Sequence, residues 1–214
     1  LDAVLEAYAV SALKTGMLAS PDVIEAVADR LVLHNRISKV MDPVMVATSG
    51  ARLLQDDAVA TLAGVLLPLA TLMTPNLPEA EVLAGHAIEG GQDAIVDAAR
   101  ELGDTFGTAV LIKGGHCAAA EAEDILFDGE CVYRIATPRI AQPVSTHGTG
   151  CSLSAAIAAA LACGKPLLDA VAEGKAYVYE SIRTGTWVGE AAAVLGTPAR
   201  LPIEQVRVDT LKKP

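Results

Sequence analysis

A loop runs into a helix at Thr146-His147-Gly148-Thr149-Gly150-Cys151-Ser152-Leu153-Ser154. Two glycines within three residues let the backbone turn tightly and approach a ligand closely. The residues that follow are rich in Ala and Leu, and Gly164 stands where a helix usually ends. The first turn of such a helix has unpaired N–H groups and the positive end of the helix dipole. The stretch therefore predicts an anion site, most often a phosphate site.

Cys151 is placed in the first turn of this helix, where the dipole stabilises a thiolate. Two plainer interpretations stay open: a small buried cysteine, and an ordinary glycine turn before a core helix. The sequence contains neither the Walker lysine pattern nor the dinucleotide-binding fingerprint. P-loop NTPases are thus excluded, and a Rossmann dinucleotide site lacks its signature.

The composition suits a parallel sheet that helices cover on both faces. Hydrophobic residues make up 52% of the 214 residues, and aromatic residues only 3%. Runs rich in Val and Leu alternate with Ala-rich segments, as in sheets buried on both sides. The length predicts one domain, residues 1–214, with a substantial core.

The charge and the cysteines limit the partners and the compartment. A net charge of −10 argues against non-specific nucleic-acid binding and against an anionic membrane surface. No apolar run reaches the roughly 20 residues of a membrane span. Four cysteines without a Cys-x-x-Cys pair predict reduced thiols in a cytoplasmic protein. The chain begins at Leu1 without an initiator Met or a signal-peptide pattern, so we expect an N-terminal part of the fold to be missing.

Polar residues follow three of the predicted buried strands. The carboxyl ends of parallel strands form the edge where α/β sheets bind ligands. Carboxylates at this edge are suited to Mg²⁺, and a lysine is suited to phosphate. The plainer alternatives are a turn before proline for Asp42, a helix-dipole role for Glu79 and a solvated side chain for Lys113. The residues are Asp42 after 38–41, Asn76 and Glu79 after 70–74, and Lys113 after 108–112.

The remaining segments predict a helix over residues 56–66, an antiparallel hairpin and a weakly patterned C-terminus. Residues 124–128 and 131–136, joined by a Gly-Glu turn, have the pattern of a hairpin at one edge of the sheet. A second helix follows the glycine loop and its helix, over residues 166–183. Beyond it, residues 191–195 have a helical composition, and we expect residues 198–214 to form a peripheral tail.

Four motifs together closely resemble the hydroxymethylpyrimidine/phosphomethylpyrimidine kinases of thiamine biosynthesis, within the ribokinase-like superfamily. The resemblance covers about residues 1–183, and Cys151 is its most specific feature because most ribokinase-like relatives carry Asp there. The motifs are Lys14-Thr15-Gly16-Met17-Leu18, Asp42-Pro43-Val44-Met45, Thr74-Pro75-Asn76-Leu77-Pro78-Glu79, and Lys113-Gly114-Gly115-His116 leading to Thr146-His147-Gly148-Thr149-Gly150-Cys151.

The resemblance implies a three-layer α/β/α sandwich with a mostly parallel sheet, an antiparallel edge hairpin and missing N-terminal strands. It implies two ATP-dependent steps, phosphorylation of 4-amino-5-hydroxymethyl-2-methylpyrimidine and then of its monophosphate. It further implies a small-molecule enzyme, commonly a homodimer, with ATP and Mg²⁺ as cofactors. A pyridoxal kinase of the same subfamily and a non-catalytic nucleotide-binding relative are the alternatives.

The resemblance also assigns roles to individual residues. The N–H groups of Gly148, Thr149, Gly150 and Cys151 form the anion hole, and Cys151 takes the place of the activating base and meets the substrate. The remaining assignments are Asp42 and Glu79 for Mg²⁺ and its waters, Asn76, Lys113, Thr146 and Glu79 for the nucleotide, and Met17 and Thr146 for the lining of the site.

Overall fold

Four parallel strands form one half of the main sheet and lie next to one another in chain order. The computed structural model of the chain describes residues 1–46, 52–114, 120–190 and 192–213. Because the four strands run in the same direction, their carboxyl ends lie at one edge of the sheet. The strands are β1 (Ala12–Thr15), β2 (Ser38–Met41), β3 (Leu72–Met73) and β4 (Ala109–Lys113).

Three antiparallel strands continue the sheet beyond β4. β5 (Glu121–Phe127) and β6 (Val132–Pro138) form the predicted hairpin, which is confirmed. A small separate sheet follows in the chain, made of β7 (Thr186–Val188) and β8 (Ala192–Val194). The last strand, β9 (Arg207–Lys212), pairs with β6, so one further strand lies beyond the hairpin.

Helices cover both faces of the sheet, because successive residues of a strand point to opposite sides. In β4, Val110 and Ile112 belong to one apolar cluster, whereas Ala109 and Leu111 belong to the other. This is the predicted three-layer α/β/α arrangement. The first cluster includes residues of α2 (Pro21–Leu31), α3 (Asp56–Thr61), α4 (Leu77–Ala84) and α5 (Gln92–Phe106), and the second residues of α6 (Thr149–Ala162) and α7 (Leu167–Arg183).

Two helical segments differ from the others. α1 (Asp2–Ala7) precedes β1 and buries no residue. The helix predicted over residues 56–66 is α-helical only as far as Thr61, after which a π-helical turn (Leu62–Leu66) and a 3₁₀ turn (Leu67–Leu69) follow. Pro68 explains the change at the end of this segment, because proline cannot continue the hydrogen-bond ladder of an α-helix. Within the described ranges, no helix has the length and apolar character that crossing a bilayer requires.

The predictions for the C-terminal region are wrong. The segment expected to be helical, residues 191–195, contains β8, whose pairing with β7 outweighs the helix propensity of its alanines. The expected tail contains β9, which joins the main sheet. β9 buries almost none of its side chains, so its sequence lacks the apolar alternation from which a strand is usually predicted.

Candidate active site

The carboxyl edge of the parallel strands brings several predicted site residues together. The N–H of Asp42 donates to the carbonyl of Thr15 at 3.2 Å, and the N–H of Lys113 donates to the carbonyl of Pro75 at 2.9 Å. Asn76 forms an isolated parallel bridge with Lys113. These bonds extend the ladder past the strands, so Asp42 lies beside the end of β1, and the residues after β3 lie beside the end of β4.

A buried ion pair joins the ends of β2 and β4. Lys113 Nζ lies 2.8 Å from Asp42 Oδ1, with only 3% of the aspartate side chain and 13% of the lysine side chain exposed. The other oxygen, Oδ2, accepts the hydroxyl of Ser154 on α6 at 3.4 Å. Charges removed from water need close partners, so Asp42 fixes the position of the ammonium group.

The start of α6 lies directly beside this ammonium group. Gly148 is the N-cap residue and has a φ of +84°, a left-handed conformation that glycine adopts without strain. A Cβ atom added at Gly150 would lie 3.3 Å from Lys113 Nζ. The first-turn N–H groups have no acceptor within their own helix. The N–H groups of residues 148–151 and the ammonium group of Lys113 thus lie side by side in a protein of net charge −10, and we call this arrangement the cationic cradle.

Cys151 is exposed rather than buried, which rules out the interpretation of a small core residue. It lines a surface cavity of about 640 Å³ together with Ser152, Tyr177 and Leu201. The thiol is therefore accessible to a small molecule and lies in the same helical turn as the N–H groups of the cationic cradle.

Asn76 and Glu79 form a capping box at the start of α4. The side chain of Asn76 accepts the N–H of Glu79 at 2.9 Å, and Glu79 Oε2 accepts the N–H of Asn76 at 2.8 Å. Glu79 Oε1 accepts the N–H of Met45 at 3.0 Å, and Asn76 Nδ2 donates to the carbonyl of Val46 at 3.1 Å. The two side chains therefore hold the loop that follows Asp42.

The loop after Asp42 contains a strained residue, Val44, and contacts a buried carboxylate, that of Glu79. Val44 has a φ of +44°, which a β-branched residue rarely adopts, so the bonds from the capping box hold it against a local energy cost. Burial raises the pKa of Glu79, while Lys113 and the N–H donors of Asn76 and Met45 oppose that rise. Glu79 already accepts backbone N–H bonds at both oxygens, and its assignment to Mg²⁺ stays a prediction.

The carboxylates suit a metal ion that is held mainly by water and phosphate. Among the residues that the structure describes, no group of three or more His, Cys, Asp or Glu side chains could hold a metal ion. Mg²⁺ usually keeps several waters and takes one or two carboxylates together with substrate phosphates. Asp42 and Glu79, both near the cationic cradle, fit that pattern.

The other predicted residues lie around the cradle. Met17 follows β1 at the same edge and is 53% exposed. Thr146 is also exposed, and its carbonyl accepts the hydroxyl of Thr149 at 3.0 Å. Gly115 and His116, which belong to the lysine motif, lie outside the described residues.

Ser154 is a site residue that the sequence reasoning missed. Its hydroxyl also lies 3.2 Å from the carbonyl of Gly150 and 3.1 Å from that of Cys151, so it links the first turn of α6 to Asp42. Its position four residues after Gly150 was the available signal, since residues i and i+4 of a helix share a face.

Comparison with known proteins identifies the family. A family model described as phosphomethylpyrimidine kinase matches residues 1–195. The chain belongs to this family. It is 48% identical over 182 residues to a hydroxymethylpyrimidine/phosphomethylpyrimidine kinase of Rhizobium meliloti, covering 85% of this chain and 68% of that one. It is 46% identical over 189 residues to a thiamine biosynthesis bifunctional protein of Geobacter sulfurreducens, covering 88% of this chain and 38% of that one.

The fold is shared with solved kinases of the same kind. The pyridoxal kinase from Staphylococcus aureus in complex with ADP superimposes with a TM-score of 0.84 at 32% identity, covering 94% of this chain and 73% of that one. The family and the ribokinase-like fold predicted from the motifs are thus confirmed. The phosphomethylpyrimidine kinase family carries out phosphoryl transfer, for which the cationic cradle is chemically suited.

Proposed function

We propose that this chain transfers the terminal phosphoryl group of ATP to 4-amino-5-hydroxymethyl-2-methylpyrimidine and then to its monophosphate, in thiamine biosynthesis. One observation carries the proposal: the Lys113 ammonium group adjoins Gly150 in the first turn of α6. Phosphoryl transfer depends on positioning and charge neutralisation more than on covalent help. A lysine and a helix N-terminus supply both in an otherwise acidic protein.

Cys151 is proposed as the proton acceptor for the first step. The substrate hydroxyl oxygen forms a bond to the γ-phosphorus, the bond from that phosphorus to the bridging oxygen breaks, and ADP leaves. The proton of the hydroxyl passes to the Cys151 thiolate. The N–H groups of residues 148–151 receive the charge that develops on the phosphoryl oxygens, as preorganised donors do in other transfer enzymes.

The remaining residues are proposed to bind the nucleotide, the metal and the ring. Asp42 and Glu79 would hold Mg²⁺ and its waters, and the bound ion would neutralise phosphate charge. Lys113, Asn76, Glu79 and Thr146 are assigned to the nucleotide, and Met17 to the pyrimidine. The ion pair supports this division, because the carboxylate that we assign to the metal lies 2.8 Å from the ammonium group that we assign to the phosphate.

The experiment is ADP release by the purified protein with ATP, Mg²⁺ and the hydroxymethylpyrimidine. We expect turnover by the wild type and a fall in kcat of about 10²- to 10⁴-fold for Cys151→Ala, the usual loss when a general base is removed. Cys131→Ala is the control, because Cys131 lies in the turn between β5 and β6 and does not line the cavity beside Cys151. An unchanged kcat in Cys151→Ala would remove the thiol from the mechanism.

A second candidate function is the phosphorylation of pyridoxal. The superposition on the Staphylococcus aureus pyridoxal kinase motivates it, since both alcohols are small aromatic rings with a hydroxymethyl group. The same assay with pyridoxal decides: a higher kcat/KM for pyridoxal would move the assignment to it. ATP binding without turnover of either alcohol would instead indicate a non-catalytic nucleotide-binding relative.

We further propose a cytoplasmic homodimer that consists of one domain per chain. The free thiols of Cys131, Cys151 and Cys163 support a reducing compartment. Sedimentation equilibrium tests the dimer, and cell fractionation tests the location. A single cooperative unfolding transition by two spectroscopic probes would agree with one domain.

A further inference from the structure

Lys175 and Asp124 form a second buried ion pair that the proposed mechanism does not use. Lys175, in the middle of α7, places its Nζ 2.6 Å from Asp124 Oδ2 on β5. Their side chains are only 9% and 5% exposed. Replacing a buried ion pair with apolar residues often leaves a fold equally stable, so the pair calls for an explanation besides stability.

The first part of that explanation is the contact between Asp124 and the backbone at the end of β4. The other oxygen of Asp124, Oδ1, accepts the N–H of Gly114 at 3.0 Å. Gly114 directly follows Lys113, and Lys113 pairs with Asp124 in the strand register. A Cβ atom at Gly114 would lie 2.6 Å from the carbonyl oxygen of Glu123. Asp124 thus holds the backbone at the point where Lys113 leaves β4.

The second part is the contact between α7 and the helix of the cationic cradle. A Cβ atom at Gly174 would lie 2.6 Å from Ile157 and 3.4 Å from the carbonyl oxygen of Leu153, both on α6. The backbone of α7 therefore packs closely on the second and third turns of α6. Lys175 is the next residue in the chain, so α7 connects α6 to Asp124 through one buried bond.

We propose that Lys175 and Asp124 are positioning residues, which hold the Lys113 ammonium group in register with the first turn of α6. The proposal rests on the proposed function, because it concerns where the phosphoryl group meets Lys113. Both halves of the cationic cradle are thereby tied to α7, one by close packing and the other by the ion pair. A displacement of about 1 Å at such a site lowers turnover by about 10²-fold.

A double-mutant cycle on kcat tests this role. The variants are Lys175→Met, Lys113→Met and both together, with ATP and the turned-over alcohol as substrates. If Lys175 acts through Lys113, we expect Lys175→Met alone to lower kcat by about 10- to 100-fold. In the Lys113→Met background, the same change should lower kcat by less than about twofold, since a residue that acts through another has no independent effect.

Two further variants separate positioning from folding. The double variant Lys175→Met with Asp124→Asn leaves no unpaired buried charge and keeps an acceptor for the N–H of Gly114. It replaces Lys175→Met in the kinetic test if the single variant does not fold. Lys212→Met is the matched control, because Lys212 pairs with Asp97 on the exposed surface and should leave kcat unchanged.

The outcomes are distinct. Equal losses from the lysine change in both backgrounds would show a purely structural role and overturn the positioning role alone. A lowered melting temperature with an unchanged kcat would overturn it as well. A wild-type protein that neither turns over an alcohol nor binds ATP would overturn the proposed function, and the positioning role with it.

Discussion

The two halves of the main sheet place their charged groups differently. In the parallel half, β3 and β4 are apolar on both faces, and the buried ion pair of Asp42 and Lys113 lies at the carboxyl edge. The buried Lys39, near the start of β2, donates to the carbonyls of His34 and Ile37. In the antiparallel half, the charges lie on the strands themselves. The guanidinium group of Arg134 on β6 bonds to Glu121 at 2.6 Å, to Asp209 at 2.9 Å and also to Glu123.

This difference follows from how the strands are connected. Parallel strands need helical crossovers, which bury both faces and leave the strand ends for polar chemistry. Antiparallel strands join through short turns, and part of their surface stays near water. The carboxylates around Arg134 are accordingly 31% to 41% exposed. We infer that the charges at the carboxyl edge of the first half serve chemistry, whereas those around Arg134 in the second half attach the strands to one another.

Of the two halves of the sheet, the parallel half should show the larger effect of a substitution. Lys113→Met should lower kcat by about 10²- to 10³-fold, or about 3–4 kcal/mol, the usual loss when one donor to a developing charge is removed. Steady-state kinetics measures it, with Lys212→Met as the control. Because Lys113→Met leaves Asp42 buried and unpaired, the urea midpoint of Lys113→Met is measured beside its kcat, which separates a folding defect from a catalytic one. A change below threefold would remove Lys113 from the site.

A smaller effect, on stability rather than on turnover, is expected in the antiparallel half. Arg134→Met should lower the free energy of unfolding by about 2 kcal/mol, less than for a fully buried pair because water screens the three carboxylates. Urea unfolding measures it. Arg200→Met is the control, since the Arg200–Glu204 pair is exposed and should contribute less than about 1 kcal/mol. A loss of kcat in folded Arg134→Met would break the division between the halves.

The smallest effect is a difference in pH dependence between two glutamates. Burial raises the pKa of Glu79 above its ordinary value near 4.5, so its contribution to stability decreases as the pH rises through that raised pKa. The hydrogen bond from Arg134 lowers the pKa of Glu123, so its contribution is present above about pH 4.5 and is lost as the pH falls.

Urea midpoints measured from pH 3 to pH 7 test this difference. As the pH rises, the free energy of unfolding of the wild type should decrease relative to that of Glu79→Gln. Over the same range, it should increase relative to that of Glu123→Gln. Each change should be below about 1 kcal/mol, because Glu123 is partly exposed and opposing contacts surround Glu79. Slopes of the same sign would show that the two environments do not differ as described.

Local patterns in the sequence predicted most of the parallel half. Apolar runs located β2 and β4 to within a residue, and a polar residue after each run located Asp42 and Lys113. The glycine loop predicted where α6 begins, because a tight turn followed by Ala-rich sequence is a local signal. The exposed position of Cys151 agrees with a functional thiol.

Contacts distant in the chain decided the rest. Ser154 reaches Asp42 across 112 residues, and Lys175 reaches Asp124 across 51. No periodicity reveals which lysine or serine will be buried against which carboxylate.

The C-terminal strand is the plainest case. The sequence by itself determined the layers and the anion site at the start of α6, because short-range periodicity and turn chemistry specify where strands and helices begin and end. Its four motifs indicated the family. Only the tertiary structure decided that β9 pairs with β6 and that Lys175 on α7 reaches Asp124 beside the end of β4. Backbone hydrogen bonds to β6 and the ion pair of Asp209 with Arg134 hold this exposed edge strand. Backbone groups are the same in every sequence, so they give no signal in the residues of β9.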